Sequence, residues 1–171
     1  MAESFNTMSR SVGEKLKLLP FVSQFTASAV EKSRYVDSWL EGSEREAAIF
    51  MTDVRGFTSS SADMAPPELL HKLNDLLALQ TEVVVKHGGD VDKFMGDAVL
   101  AVFSGHPDNL ERAVRCGREL FSRVQLQTHE WPVSWRLGGA IRSGAVIFGA
   151  VGSEARRDYT VIGNIVNDAA H

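Results

Sequence analysis

The chain holds a single cysteine, Cys116, so no internal disulfide can form. No Cys/His grouping has the spacing of a zinc site either. This usage belongs to a reducing compartment, and a cytoplasmic location is expected. Basic residues are not in excess: the formal charge is −4, whereas a nucleic-acid-binding domain would carry a basic footprint, so nucleic acid is not expected as a partner. Long apolar runs are also missing. The longest, Ala98 to Phe103, is strand-sized and far below the roughly 18 residues that span a bilayer, so no membrane segment is expected. Met1 to Arg10 lacks a basic stretch followed by an apolar one, which excludes a signal peptide reading. Internal repeats and low-complexity stretches are absent. What remains is ordinary globular usage, 44% hydrophobic and 23% charged over 171 residues, with a length that suits about one domain.

Residues 1–46 differ in character from the rest of the chain. Leu16, Leu19, Val22 and Phe25 recur at helical spacing, with Pro20 marking a break or a helix start, and Ser38 to Glu46 reads as a polar connector. Two readings of this segment stay open: a terminal helix packed on the domain, or a signal-relay or dimerising segment feeding it. From Ala47 to His171 the pattern is α/β. Ala47 to Thr52 reads as a strand, Asp53 to Asp63 as a loop, and Pro66-Pro67 as the first turn of an amphipathic helix running to about Lys86. His87-Gly88-Gly89-Asp90 stops that helix. Val91–Phe94 and Ala98–Phe103 then predict two strands joined tightly at Gly96-Asp97. A second helix is expected from about Pro107 to Val124, with Leu110, Val114, Gly117, Leu120 and Phe121 inward. Strands are expected at about Val133–Arg142, Ala145–Val151 and Tyr159–Ile162, and a last helix opens at Gly163. The order β-α-β-β-α-β is the split βαβ, ferredoxin-like sheet with helices on one face. Fold alone does not give function.

Two aspartates are distinguished by position. Asp53 follows a buried-looking strand, and Asp97 lies in the tight turn between two apolar strands. In a βαββ unit the first and third elements in sequence can be neighbours, which would bring both carboxylates to one rim. With a main-chain carbonyl such as that of Val54, that is a hard, oxygen-rich donor set suited to Mg²⁺ or Mn²⁺. Taken singly, each aspartate reads first as an ordinary turn or capping residue. Gly56 lets backbone approach a ligand, and amides ahead of a helix can bind phosphate. His71, His87, His106 and His129 lack ligand spacing and read as surface or cap residues; Cys116, Trp131 and Trp135 read as packing.

Three blocks, AIFMTDVRGFT (48–58), HGGDVDKFMGDAVLAVFSG (87–105) and VGSEARRDYTVIGNIVNDAA (151–170), resemble in order and spacing the class III nucleotidyl cyclase catalytic domain. The resemblance covers about residues 44–171, and the preceding LLPFVSQF resembles the segment that often leads into bacterial members. It implies metal binding by Asp53 and Asp97, with the Val54 carbonyl, of two Mg²⁺ or Mn²⁺ ions that activate the ribose 3′-hydroxyl and hold the triphosphate. It implies contacts of Gly56, Phe57 and Thr58 with the β- and γ-phosphates, and reading of the purine by Lys93 and Thr160. Lysine can donate to adenine N1 and a threonine hydroxyl can accept from the 6-amino group. A guanylate cyclase would more often carry Glu and Cys or Ser there, so ATP is favoured. Asn167 matches the asparagine that orients the ribose.

The chain departs from the family in two places. Four positions after Asn167 the family places an arginine that stabilises transition-state charge, and this chain has His171; neutral imidazole cannot replace a guanidinium fork. Arg136, Arg142, Arg156 and Arg157 read as surface charges or as compensating ones. The family domain also ordinarily continues for several tens of residues, so its last strands are expected to be missing. The reading is an adenylate cyclase forming 3′,5′-cyclic AMP and pyrophosphate at the interface of a head-to-tail homodimer. The alternatives are a catalytically weak or inactive nucleotide-binding or regulatory module, and a guanylate cyclase.

Overall fold

The computed structural model describes residues 22–23, 26–27, 30–31, 42–127 and 135–170. Leu16, Leu19, Phe25, the connector up to Glu41, His129, Trp131, Val133 and His171 lie outside the described residues. The elements are β1 (Ser43–Arg55), a short α1 (Phe57–Ser61), α2 (Pro66–Lys86), β2 (Asp90–Met95), β3 (Ala98–Ser104), α3 (Asn109–Gln127), β4 (Arg136–Ser153), β5 (Arg156–Ile162) and α4 (Asn164–Ala169). All strand pairings are antiparallel, in the order β2-β3-β1-β4-β5. The first four strands have the expected ferredoxin-like arrangement, with β5 added beside β4.

β1 is central, and its middle is buried on both faces. Ala48, Phe50 and Val54 point to one side, where they meet Leu76, Leu79 and Val83 of α2 and Ala113, Cys116 and Leu120 of α3. Ala47 and Ile49 point to the other, against Leu100, Val102, Val146, Phe148 and Val161, with Ala169 of α4 closing over them. This accounts for the unbroken apolar run of the strand, since burial on both faces removes the polar half of the usual alternation. α2 and α3 thus cover one face as expected, and the short α4 lies on the other.

Several element boundaries differ from the sequence reading. Ser43–Glu46 is strand rather than connector, and Asp53–Arg55 continues β1 rather than opening a loop; both ends pair with β4, through Ser43↔Phe148 and Arg55↔Arg136. The stretch after Gly56 is the helix α1, not an extended loop. The two strands expected on either side of Ser143-Gly144 are one, because those residues pair with Ala48 and Ala47 and the ladder runs through. On α3, Leu110 and Phe121 are exposed instead of inward, and Ala113, Cys116, Leu120 and Val124 form the buried stripe. α2 ends as expected: the Gly88 and Gly89 amides donate back to the Val85 and Val84 carbonyls at 2.8 and 2.9 Å, and Arg112 Nε donates to the His87 carbonyl at 3.1 Å.

Candidate functional site

Asp53 and Asp97 reach the same rim of the sheet. β1 and β3 pair until Thr52↔Val99. Beyond that point the chain turns from β2 into β3, and no backbone acceptor faces the next N–H of β1. The Asp97 carboxylate takes that place, its Oδ2 accepting from the Val54 N–H at 3.0 Å. A carboxylate acceptor makes this a charge-assisted bond. Asp53 precedes Val54, so Asp53 and Asp97 stand at the same end of β1.

The Asp53 side chain is 49% exposed, with Arg55 Nη1 at 3.7 Å from Oδ2. Its cross-strand partner is Gly138. A Cβ at Gly138 would run into Asp53 Oδ1 and the Arg55 guanidinium, so the missing side chain makes room for both groups. Among the described residues no three or more His, Cys, Asp or Glu side chains gather as a metal site. A cation at this rim would therefore be held by two carboxylates, main-chain oxygen and ligand oxygen. That partial set of hard donors fits Mg²⁺ or Mn²⁺, which keep water or phosphate oxygen in their shells.

Gly56 turns the chain from β1 into α1 at φ 69° and ψ 26°, a left-handed conformation that glycine adopts without strain. α1 is pinned from beneath. The Phe57 ring lies 5.5 Å from that of Trp135, and Trp135 Nε1 donates to Ser60 Oγ at 3.1 Å. Trp135 is a packing residue as expected, and one that anchors the Gly56–Thr58 backbone beside Asp53.

Lys93 and Thr160 come together on a third residue. Thr160 lies on β5 and Lys93 on β2, the two edges of the sheet. In a flat sheet four strand spacings alone would part those edges by about 19 Å, and the ladders set Lys93 level with Ala140 of β4 while Thr160 pairs with Gly149 farther along it. Yet Thr160 Oγ1 donates to Asp92 Oδ2 at 2.6 Å, so the sheet curls enough to bring this part of β5 to β2. Lys93 Nζ lies 3.6 Å from the same oxygen, and the Asp92 side chain is only 1% exposed. Asp92 Oδ1 is buried without a hydrogen-bond partner. Burial pushes the Asp92 carboxyl above the usual carboxylate range, while the Thr160 hydroxyl and the Lys93 ammonium pull it back. Asp92 and Lys93 also line a cleft of about 660 Å³ that extends to Thr81 and Val85 of α2 and to Arg157 and Tyr159.

Asp92 is the residue that sequence reading missed. The available signal was an aspartate inside a strand, where this residue type is depleted; it sits at a register shift between Val91 and Lys93, a bulge that re-aims a side chain. Asn167 is carried by α4, whose Ala169 closes the second sheet face, and it is exposed. The structure does not bring it to the carboxylate rim within one chain. His171 lies outside the described residues.

Residues 41–171 match the family model described as the adenylate and guanylate cyclase catalytic domain. An adenylate cyclase of Anabaena cylindrica is 30% identical over 98% of this chain and 34% of its own length. The chain thus spans about a third of the length of that curated relative. Among solved structures, the adenylyl cyclase CyaB of P. aeruginosa is 29% identical, with a TM-score of 0.73 over 77% of this chain and 72% of its own. The guanylyl cyclase Cya2 is 35% identical, with a TM-score of 0.70 over 75% of this chain and 69% of its own. A bacterial light-regulated adenylyl cyclase shares the fold over 98% of this chain and 50% of its own, at a TM-score of 0.88 and 22% identity.

Proposed function

We infer, since the chain belongs to the adenylate and guanylate cyclase catalytic-domain family, that it is an adenylate cyclase converting ATP to 3′,5′-cyclic AMP and pyrophosphate. The observation that carries the choice of ATP is the convergence of Lys93 and Thr160 on Asp92 Oδ2, at 3.6 and 2.6 Å. Lys93 offers only hydrogen-bond donors, and the Thr160 hydroxyl, its proton committed to Asp92, offers only acceptors. Adenine presents the complement, an acceptor at N1 and a donor at its 6-amino group.

Asp53 and Asp97, with the Val54 carbonyl, would hold two Mg²⁺ or Mn²⁺ ions. When bound, the ions supply an activated 3′-oxygen and neutralise charge on the triphosphate. The chain's own part is positional. The Gly56–Thr58 backbone meets the β- and γ-phosphates, and Asn167 orients the ribose. The 3′-oxygen then forms its bond to the α-phosphorus as the bond to pyrophosphate breaks, and the hydroxyl proton leaves to solvent.

We carry over from the family resemblance the arrangement in which one nucleotide engages the carboxylate rim of one copy and the Lys93, Thr160 and Asn167 group of another. A two-fold, head-to-tail homodimer with two equivalent sites results. No described helix is long and apolar enough to cross a membrane.

A second reading rests on His171: without the arginine of the family, the chain would bind nucleotide and turn it over weakly. The likeness to Cya2 keeps GTP as the competing substrate to be tested. The deciding experiment measures cyclic nucleotide formation from ATP and from GTP with Mn²⁺ at several protein concentrations, beside Asp97→Ala. Cyclic AMP rising faster than linearly with protein and vanishing in the variant is the expected result. Metal-dependent ATP binding without product would favour the second reading, and preferential turnover of GTP would overturn the assignment of the base.

A further inference from the structure

We propose that Asp92 sets which purine the Lys93–Thr160 pair accepts, by fixing the direction of the Thr160 hydroxyl and the place of the Lys93 ammonium. The inference rests on the reading of those two residues as the pair that faces the base. A hydroxyl has one hydrogen and two acceptor lone pairs. With the Thr160 hydrogen held by Asp92 Oδ2 at 2.6 Å, an outside partner meets acceptors alone. Lys93, held near the same oxygen, meets it with donors alone. Adenine fits both positions. Guanine carries an acceptor at O6 and a donor at N1–H, so each contact would set like against like. Without Asp92 the Thr160 hydroxyl is free to rotate and donate to O6, and the discrimination goes.

The burial of Asp92 argues that the residue is kept for this purpose and not for stability. Its side chain is 1% exposed, and Oδ1 has no hydrogen-bond partner. A buried carboxylate with an unpaired oxygen weakens a fold, and an apolar residue of similar shape is often neutral or stabilising in its place. Asp92 also stands at the β2 bulge, where local pairing is already given up. The carboxylate acts through its two neighbours, so it is a positioning residue.

The test compares the ratio of kcat/KM for ATP to that for GTP in the unaltered chain, Asp92→Leu, Asp92→Asn, Thr160→Val and the Asp92→Leu/Thr160→Val double variant, together with melting temperatures. Where turnover is slow, the ratio of the dissociation constants for ATP and GTP is compared across the same variants instead. Asp92→Leu is expected to lower the ATP preference on the order of tenfold, the scale of one lost buried polar contact, with no fall in melting temperature. Asp92→Asn, whose amide oxygen accepts the same hydroxyl, is expected to keep the preference. In the double variant the Leu substitution should add less to Thr160→Val than it costs alone, because the hydroxyl, one of the two groups through which it acts, is gone. If Thr160→Val moves the ratio and Asp92→Leu does not, the role of Asp92 is overturned while the base-facing pair stands. If Thr160→Val leaves the ratio unchanged, the pair itself fails and the role of Asp92 falls with it. A fall in melting temperature with equal losses for both nucleotides would assign Asp92 to the fold. Where Leu does not fold, Asp92→Ala is read in the same way, and failure of both to fold likewise assigns Asp92 to the fold.

Discussion

Asp97 holds the N–H of Val54 at 3.0 Å through Oδ2, so a carboxylate proposed for metal binding also finishes the β1–β3 ladder. The two duties can be separated. Asp97→Asn keeps an oxygen for the Val54 amide and loses the charge; Asp97→Ala loses both. Chemical denaturation should show Asp97→Asn within about 0.5 kcal/mol of the parent and Asp97→Ala about 1–2 kcal/mol less stable. Cyclic nucleotide formation should fall at least on the order of a hundredfold in both.

Gly138 faces Asp53 across the β1–β4 ladder, and a methyl group there would meet Asp53 and Arg55. Both neighbours are ends of exposed side chains, so they can move aside. Gly138→Ala should therefore leave the melting temperature within a few degrees while displacing the Asp53 carboxylate. The expected outcome is a rise in the metal concentration needed for half-maximal activity, measured by Mn²⁺ titration, with the fold intact by circular dichroism.

If the site is shared between two copies, Asp53→Ala chains and Lys93→Ala chains are each inactive alone but complementary. In an equal mixture, random pairing gives about half heterodimers, each with one intact site. About a quarter of parental activity should return. A mixture that stays inactive although both variants fold and pair would rule out the shared site.

Burial pushes the Cys116 thiol from 9.0 up to about 12, a desolvation effect on the thiolate. The native chain should resist thiol-directed alkylation at pH 8 and react only on unfolding. Between about pH 9 and 12 the unfolded state releases this proton and the folded state retains it. Stability from this group is therefore unaffected below pH 9 and falls as pH rises through that window. Denaturation curves at pH 8 and pH 10, compared with Cys116→Ala, check it.

His171→Arg tests the departure at the family's arginine position. A guanidinium there should raise turnover on the order of 10²–10³-fold with little change in nucleotide affinity, since such a group acts on developing charge. No gain would remove the motive for the weak-turnover reading.

How far the sequence speaks for itself depends on where a strand meets its neighbours. The middle of β1 was legible because Ala47 to Thr52 pairs on both sides, and most of its residues are buried. Its ends were not. Ser43–Glu46 and Asp53–Arg55 pair with β4 and have no partner in β3, so solvent permits polar residues and the apolar pattern stops short. The same blindness split β4 at Ser143-Gly144, where backbone pairing continues without an apolar signature. Asp53 and Asp97 could be brought together from connectivity alone, since β1 and β3 are sheet neighbours. Asp92 could not: its partner Thr160 lies 68 residues on and across the full order of the sheet, and the curl that joins them is written in no single segment.

The length of β1 has a mechanical meaning. From Ser43 to Asp53 it runs about 33 Å at strand rise, held to β4 along every residue of that span. Paired with β4 throughout and close-packed over its middle, such a rod neither compresses nor buckles easily. A push or twist delivered at Ser43 is carried along it toward Asp53, so the two ends of this strand are mechanically coupled.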